Sequence, residues 1–155
     1  MKTEIIPATQ SAAIVRALEI LHAGGLVAFP TDTVYGVGAL AFDAIAVESI
    51  YPAKDRPVEK AIPVLIGSMD DIDKIAVDIS SIATKLAAHF WPGPLTLVVP
   101  KHPTLPEIVS ATSTVGVRVP DHPMARSLLT AAGPMAVTSA NISGQPSPRT
   151  AKEVM

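Results

Sequence analysis

Apolar residues fall at helical spacing over residues 9–23, where Ile14, Leu18 and Leu21 line one face and Gly24-Gly25 stops the run. A strand is predicted at once over 26–30, followed by a loop over 31–43. A short helix from Ala44 to about Tyr51 then sets Val47, Ile50 and Tyr51 on one side and leads into the polar stretch 54–60. The alternation continues with a strand at 61–66, helical stretches at 69–75 and 80–90, and a strand at 95–99. Trp91-Pro92-Gly93-Pro94 breaks the pattern before that last strand. A strand at 115–119 precedes a helix that Asp121 caps, Pro123 opens and Gly133 ends, and a strand at 135–138 follows.

Helices alternating with strands imply an α/β layer structure. The strand directions are not legible at this level. There is no internal repeat and no sign of a second domain, so residues 1–155 read as one domain. Thr150-Ala151-Lys152-Glu153 has the form of a capping box opening a helix that ends almost at once at Met155. One turn of helix carries the nucleation cost with few propagated hydrogen bonds, so the expectation is a piece of a longer protein, truncated at its C-terminus.

Composition narrows the class. With 48% hydrophobic and 17% charged residues, the 155-residue chain can bury an ordinary core. No apolar run approaches the roughly 18 residues of a membrane span, and the first ten residues lack the apolar core of a secretory signal. A cytoplasmic protein without membrane contact is expected. The absence of cysteine fits that compartment and removes disulfides and thiolate metal sites. A formal charge of −2 argues against a general polyanion binder while leaving room for a local basic cleft. The 15 prolines sit mainly where apolar runs end and act as punctuation.

Several positions could carry chemistry. Pro57 disfavours the helical region for Arg56, and in an extended segment Lys54 and Arg56 would point to the same side. Two such cations can grip a polyphosphate, although a solvated loop is the commoner meaning of such a string. Ser139 and Asn141 repeat the i, i+2 spacing just beyond a strand, where open α/β sheets collect ligands; a simple Ser/Asn turn is the alternative. Arg118 takes the face opposite Val115, Val117 and Val119, where it either guards an exposed face or edge or pairs with a substrate carboxylate. The glycines at 36 and 38 match a relaxed dinucleotide fingerprint, but no helix opens there. The four histidines lack metal-ligand spacing, and no G-x-S-x-G elbow is present.

Taken in order, FPTDTVYGVG (29–38), KDRP (54–57) followed by Lys60, FWPGPLTLVV (90–99), VGVRVPDHP (115–123) and TSANISGQPSP (138–148) resemble the successive signature blocks of the YrdC-like family. The resemblance covers residues 5–155. It implies a YrdC/RibB-like mixed α+β fold, a twisted mixed sheet flanked by helices with an electropositive cavity on one side. It also implies a nucleotidyltransferase that makes threonylcarbamoyl-AMP and pyrophosphate from L-threonine, bicarbonate and ATP. The product would pass to a transferase complex that modifies tRNA. Carried over by motif, Thr31 would contact threonine and Arg118 its carboxylate. Lys54 and Arg56 would hold the phosphates and serve catalysis, and Thr138, Ser139 and Asn141 would hold the nucleotide, with Mg²⁺ accompanying ATP.

Two departures stand out. The family's chain normally continues past residue 155, and Pro52 is an unusual residue two positions before Lys54. An RNA-binding or ribosome-maturation role, with weak tRNA binding, is a competing expectation, although 4% aromatics leave few stacking platforms. A carbamoyl-transfer paralogue is another.

Overall fold

The computed structural model describes residues 3–10 and 12–155. Helix α1 (Ala12–His22) leads into β1 (Val27–Phe29) and β2 (Gly36–Leu40). Helices α2 (Ala44–Glu48) and α3 (Ile50–Lys54) precede β3 (Val64–Leu65), a 3-10 helix at Met69–Lys74 and α4 (Ser81–Phe90). Strands β4 (Leu97–Pro100) and β5 (Thr114–Arg118), helix α5 (Pro123–Ala132), strand β6 (Met135–Ser139) and α6 (Ala151–Val154) complete the order.

The strands form one six-stranded sheet in the order β1-β2-β6-β3-β5-β4. Only β3 and β5 run parallel; the other neighbours are antiparallel, so the sheet is mixed. Cross-strand partners share a face. On one face Ala39, Ala136, Val64, Val117 and Leu97 pack with Val47, Ile50, Tyr51 and Ala87 from α2, α3 and α4. On the other, Phe29, Val137, Met135 and Leu65 pack against Leu21 of α1 and Leu128 and Leu129 of α5. The second layer does not reach β4 and β5, where Val98 is 72% exposed. That uncovered stretch is the open part of the sheet.

The expected loop over 31–43 contains the whole of β2. Its sequence, GVGAL, lacks the β-branched run that marks a strand, and the reason lies in the neighbour. A Cβ on Gly38 would stand 2.6 Å from the Ala136 carbonyl oxygen and 2.7 Å from Val137 Cγ2, and one on Gly36 would stand 2.7 Å from Val137 Cγ1. These glycines admit β6. Gly38→Ala is therefore expected to destabilise the fold by about 3 kcal/mol, because a backbone oxygen cannot move aside. A denaturant midpoint unchanged in that variant would show that the two strands have slack.

Other boundaries also shift. The expected helix over 44–51 is two short helices meeting at Ser49, reaching Lys54. The expected helical stretch over 69–75 is a 3-10 helix, Met69–Lys74. Asp121 does not cap α5: His122 occupies the cap position without a side-chain cap bond, and Pro123 opens the helix. At the other end, the capping box of Thr150 and Glu153 is formed with both bonds in place.

Candidate active site

Helix α3 ends in a left-handed turn. Asp55 adopts φ 50° and ψ 48°, and the backbone N–H of Arg56 donates to Tyr51 O at 2.9 Å, a Schellman closure. The segment is thus not extended, and Lys54 and Arg56 do not share a strand face. Lys54 is 3% exposed, not a solvated loop cation. Its ammonium donates to the carbonyl oxygens of Ser139 and Asn141, while its own carbonyl accepts from Ser143 N at 2.7 Å. Burial, and secondarily the charge of Arg56, lowers the Lys54 pKa from its ordinary value. The half-buried Arg56 donates from Nη2 to Ala61 O at 2.8 Å, and its Nε is buried without a partner.

Behind this turn, Tyr51 donates to Ile108 O at 2.8 Å, and burial pushes its pKa up. Tyr51 therefore acts as a neutral anchor for α3. On β6, Ser139 pairs with Gly36 and Thr138 with Val37, so Thr138 and Ser139 face opposite sides of the sheet. Asn141 lies beyond the strand; its Nδ2 donates to Ile142 O and Gln145 O, both at 2.8 Å, and its Oδ1 is buried without a partner. An orphan acceptor and an orphan donor, Asn141 Oδ1 and Arg56 Nε, are the sort of groups a polar ligand satisfies.

Arg118 stands in the cross-strand row of Leu65 and Met135, on the same face as Ser139. It lies on an internal strand, because β5 sits between β3 and β4. That placement removes the edge half of the guard reading and leaves the exposed-face half standing. Since β5 and β6 run in opposite directions, the two strand ends lie at opposite ends of the sheet. Four residues along β6 and two strands across make roughly 13 Å by 10 Å between Arg118 and Ser139. Arg118 and Ser139 therefore lie apart on one face of the sheet and do not crowd one strand-end crevice.

Arg118 Nε donates to Gly93 O at 2.9 Å and Nη1 to Thr33 Oγ1 at 3.2 Å, while Nη2 forms an ion pair with Asp32. The β1–β2 connection thus crosses the open face to reach β5. Thr31 builds that turn: its hydroxyl donates to Val34 O at 2.6 Å and accepts from the N–H groups of Thr33 and Val34 at 3.2 and 3.3 Å. Its polar capacity is spent inside the loop, and it presents Asp32 and Thr33. Neither of those residues stood out in the sequence, because a pair 86 residues apart leaves no local spacing.

Two grooves of about 610 and 600 Å³ lie elsewhere, one beside Phe42, Ile45 and Pro134 and one beside Arg126 and Thr130. Neither contains these polar residues. Among the described residues, no group of three or more His, Asp or Glu side chains could hold a metal ion.

The chain matches the Sua5/YciO/YrdC family model, described as "Telomere recombination", over residues 19–155. The chain belongs to this family. It is 45% identical over 140 residues to the threonylcarbamoyl-AMP synthase of Pyrococcus abyssi, covering 89% of this chain and 41% of that protein. The Bacillus subtilis threonylcarbamoyl-AMP synthase is 40% identical over 149 residues, covering 94% of this chain and 43% of the relative. Among solved structures, P. abyssi Sua5 complexed with L-threonine superposes with a TM-score of 0.90 at 43% identity, covering 97% of this chain and 44% of that one. The chain thus spans less than half the length of these Sua5 relatives. The mixed sheet flanked by helices is the fold of the Sua5/YciO/YrdC family, as E. coli YciO, with a TM-score of 0.78 at 28% identity, also indicates. No helix among the described residues is long and apolar enough to cross a membrane.

Proposed function

We propose that this chain is the catalytic domain of a threonylcarbamoyl-AMP synthase, binding L-threonine, bicarbonate and ATP across the open face of the sheet. One observation carries the reading: Arg118 stands at one end of that face, and Ser139, its carbonyl held by the Lys54 ammonium, stands at the other. A nucleotide and an amino acid together match a span of this size. The P. abyssi relative solved with L-threonine supports the amino-acid end.

In this reading the amine of threonine combines with bicarbonate to give an N-carboxylate and water. That carboxylate oxygen bonds to the α-phosphorus of ATP, the bond to the β-phosphate bridge breaks, and pyrophosphate leaves with the electron pair. No covalent bond to the protein is required, so catalysis rests on positioning and charge stabilisation. Lys54 and Arg56 hold phosphate charge, Ser139 and Asn141 hydrogen-bond the nucleotide, and Arg118 takes the threonine carboxylate. Thr31 serves by shaping the turn, and Thr138 by supporting the strand from the opposite face. Mg²⁺ enters with ATP: Asn141 Oδ1 suits such an ion as a neutral oxygen donor, and the phosphates supply the charge the protein lacks. The product is a reactive mixed anhydride, which suits direct transfer to a tRNA-modifying transferase complex in the cytoplasm; any contact with tRNA itself would be weak, given the formal charge of −2.

Pyrophosphate release from ATP should require both threonine and bicarbonate. Release that ignores threonine but responds to carbamoyl phosphate would replace this reading with that of a carbamoyl-transfer paralogue. Submicromolar tRNA binding near physiological salt, with a steep salt slope, would instead favour an RNA-binding role.

The lowered Lys54 pKa gives a pH signature. Between that lowered value and the ordinary 10.5, the unfolded chain holds a proton that the folded chain has lost, so the Lys54 contribution to stability rises with pH there. Nucleotide affinity should move the other way. A neutral amine still donates to two carbonyls but no longer attracts phosphate, so ATP affinity is expected to fall with a midpoint below 10.5. The midpoint should vanish in Lys54→Met. An unchanged profile in that variant would assign the titration to another group.

A further inference from the structure

Asp32 and Arg118 carry the two charges of a zwitterionic amino acid, arranged in reverse. Their side chains are 15% and 12% exposed, so each charge is largely withdrawn from water and relies on the other. Arg118 does not depend on Asp32 for its position. Its Nε is held by Gly93 O at 2.9 Å, and Gly93 N in turn donates to Val119 O at 2.9 Å. Asp32 is likewise held from its own side, on the turn that the Thr31 hydroxyl closes. Its Oδ1 meets Arg118, and the structure gives its Oδ2 no partner. The pair can therefore open without either backbone moving.

We propose that Asp32 is a specificity-determining residue that recognises the substrate's ammonium by exchanging its bond to Arg118 for one to the incoming amino acid. The proposal rests on the reading of Arg118 as the carboxylate site. When an α-amino acid enters, its carboxylate takes the guanidinium and its ammonium takes the released Asp32 carboxylate. Two pairs replace one pair and a solvated zwitterion, and no charge is stranded. A carboxylate without an ammonium has to displace Asp32 and leave it unpaired in a place where water reaches it poorly, which is costly. An amine without a carboxylate would in the same way have to draw Asp32 off and leave the largely buried Arg118 guanidinium without its counter-charge. The site thus rejects hydroxy acids and amino alcohols of the same shape.

The test is calorimetric titration of the chain with L-threonine, with 2,3-dihydroxybutyrate, which lacks the ammonium, and with threoninol, which lacks the carboxylate. The wild type should prefer threonine over either analogue by about tenfold or more, the scale of one charge-assisted contact. In Asp32→Asn, threonine should bind about tenfold more weakly, while dihydroxybutyrate binds as well as before or better, because Arg118 has lost its internal competitor. This crossing of effects distinguishes recognition from support. Equal weakening of both ligands would make Asp32 only an orienter of Arg118, and equal strengthening would make it only a competitor; either overturns the proposal. Should Asp32→Asn fail to fold, wild-type binding of dihydroxybutyrate as tight as that of threonine overturns it alone. Wild-type protein that binds none of the three removes the threonine site itself, whereas threonine preference that survives in Asp32→Asn removes only the role given to Asp32.

Discussion

Replacing Lys54 by Met is expected to lower stability by about 2 to 4 kcal/mol and to weaken ATP binding at the same time. Methionine nearly fills the lysine's space, so the loss comes from hydrogen bonding and not from a cavity. The ammonium satisfies the Ser139 and Asn141 carbonyls from a position that is 3% exposed. Without it two acceptors are left in a poorly hydrated place, at roughly 1 to 3 kcal/mol each when water cannot fully replace the donor. In a chain of this size that is a drop of about 5 to 15 °C in Tm. Because Ser143 N returns a bond to the Lys54 carbonyl, the loop from 139 to 143 should loosen as a unit. Arg56→Ala is the contrasting variant. Its guanidinium is half-buried and bonds one exposed carbonyl, so stability should change by no more than about 1 kcal/mol while ATP binding falls. Melting curves and ATP titrations of both variants decide the matter. Equal Tm values for Lys54→Met and wild type would mean that the ammonium does not clamp the loop.

That contrast marks where the sequence was legible and where it was not. The i, i+2 spacing of Lys54 and Arg56 suggested two equivalent loop cations pointing to the same side. The chain instead closes α3 with a left-handed Asp55, so one cation turns inward to β6 and the other outward to Ala61. Local spacing cannot report such a turn when the residue adopting it is not glycine. Periodicity located α1, α4, α5, β4 and β5, because each buries one face and its apolar residues recur accordingly. It missed β2, whose glycines answer to the close approach of β6 and not to a pattern of their own. The alternation in β5 was read correctly: Val115, Val117 and Val119 are buried and Arg118 takes the other face. What Arg118 meets there was not readable, since Asp32, Thr33 and Gly93 come from distant segments that only the mixed strand order brings together.

Arg118→Lys should weaken threonine binding about 10- to 100-fold while leaving ATP affinity within about threefold, the range of a lost charge-assisted bidentate contact. Arginine uses three different nitrogens here, toward Gly93 O, Thr33 Oγ1 and Asp32. Lysine keeps the charge but has a single nitrogen, which cannot reach three acceptors lying in different directions and still present two parallel donors to a carboxylate. A residue that merely protected an exposed strand edge would tolerate lysine, but β5 is flanked by β3 and β4 and has no free edge. The separation along the sheet supplies the selectivity. Arg118 lies roughly 13 Å by 10 Å from Ser139, so its loss should be felt by the amino acid and not by the nucleotide. Threonine and ATP titrated separately into wild type and Arg118→Lys give the comparison. Equal losses for the two ligands would place Arg118 in the general scaffold, and no loss for either would remove it from the binding face altogether.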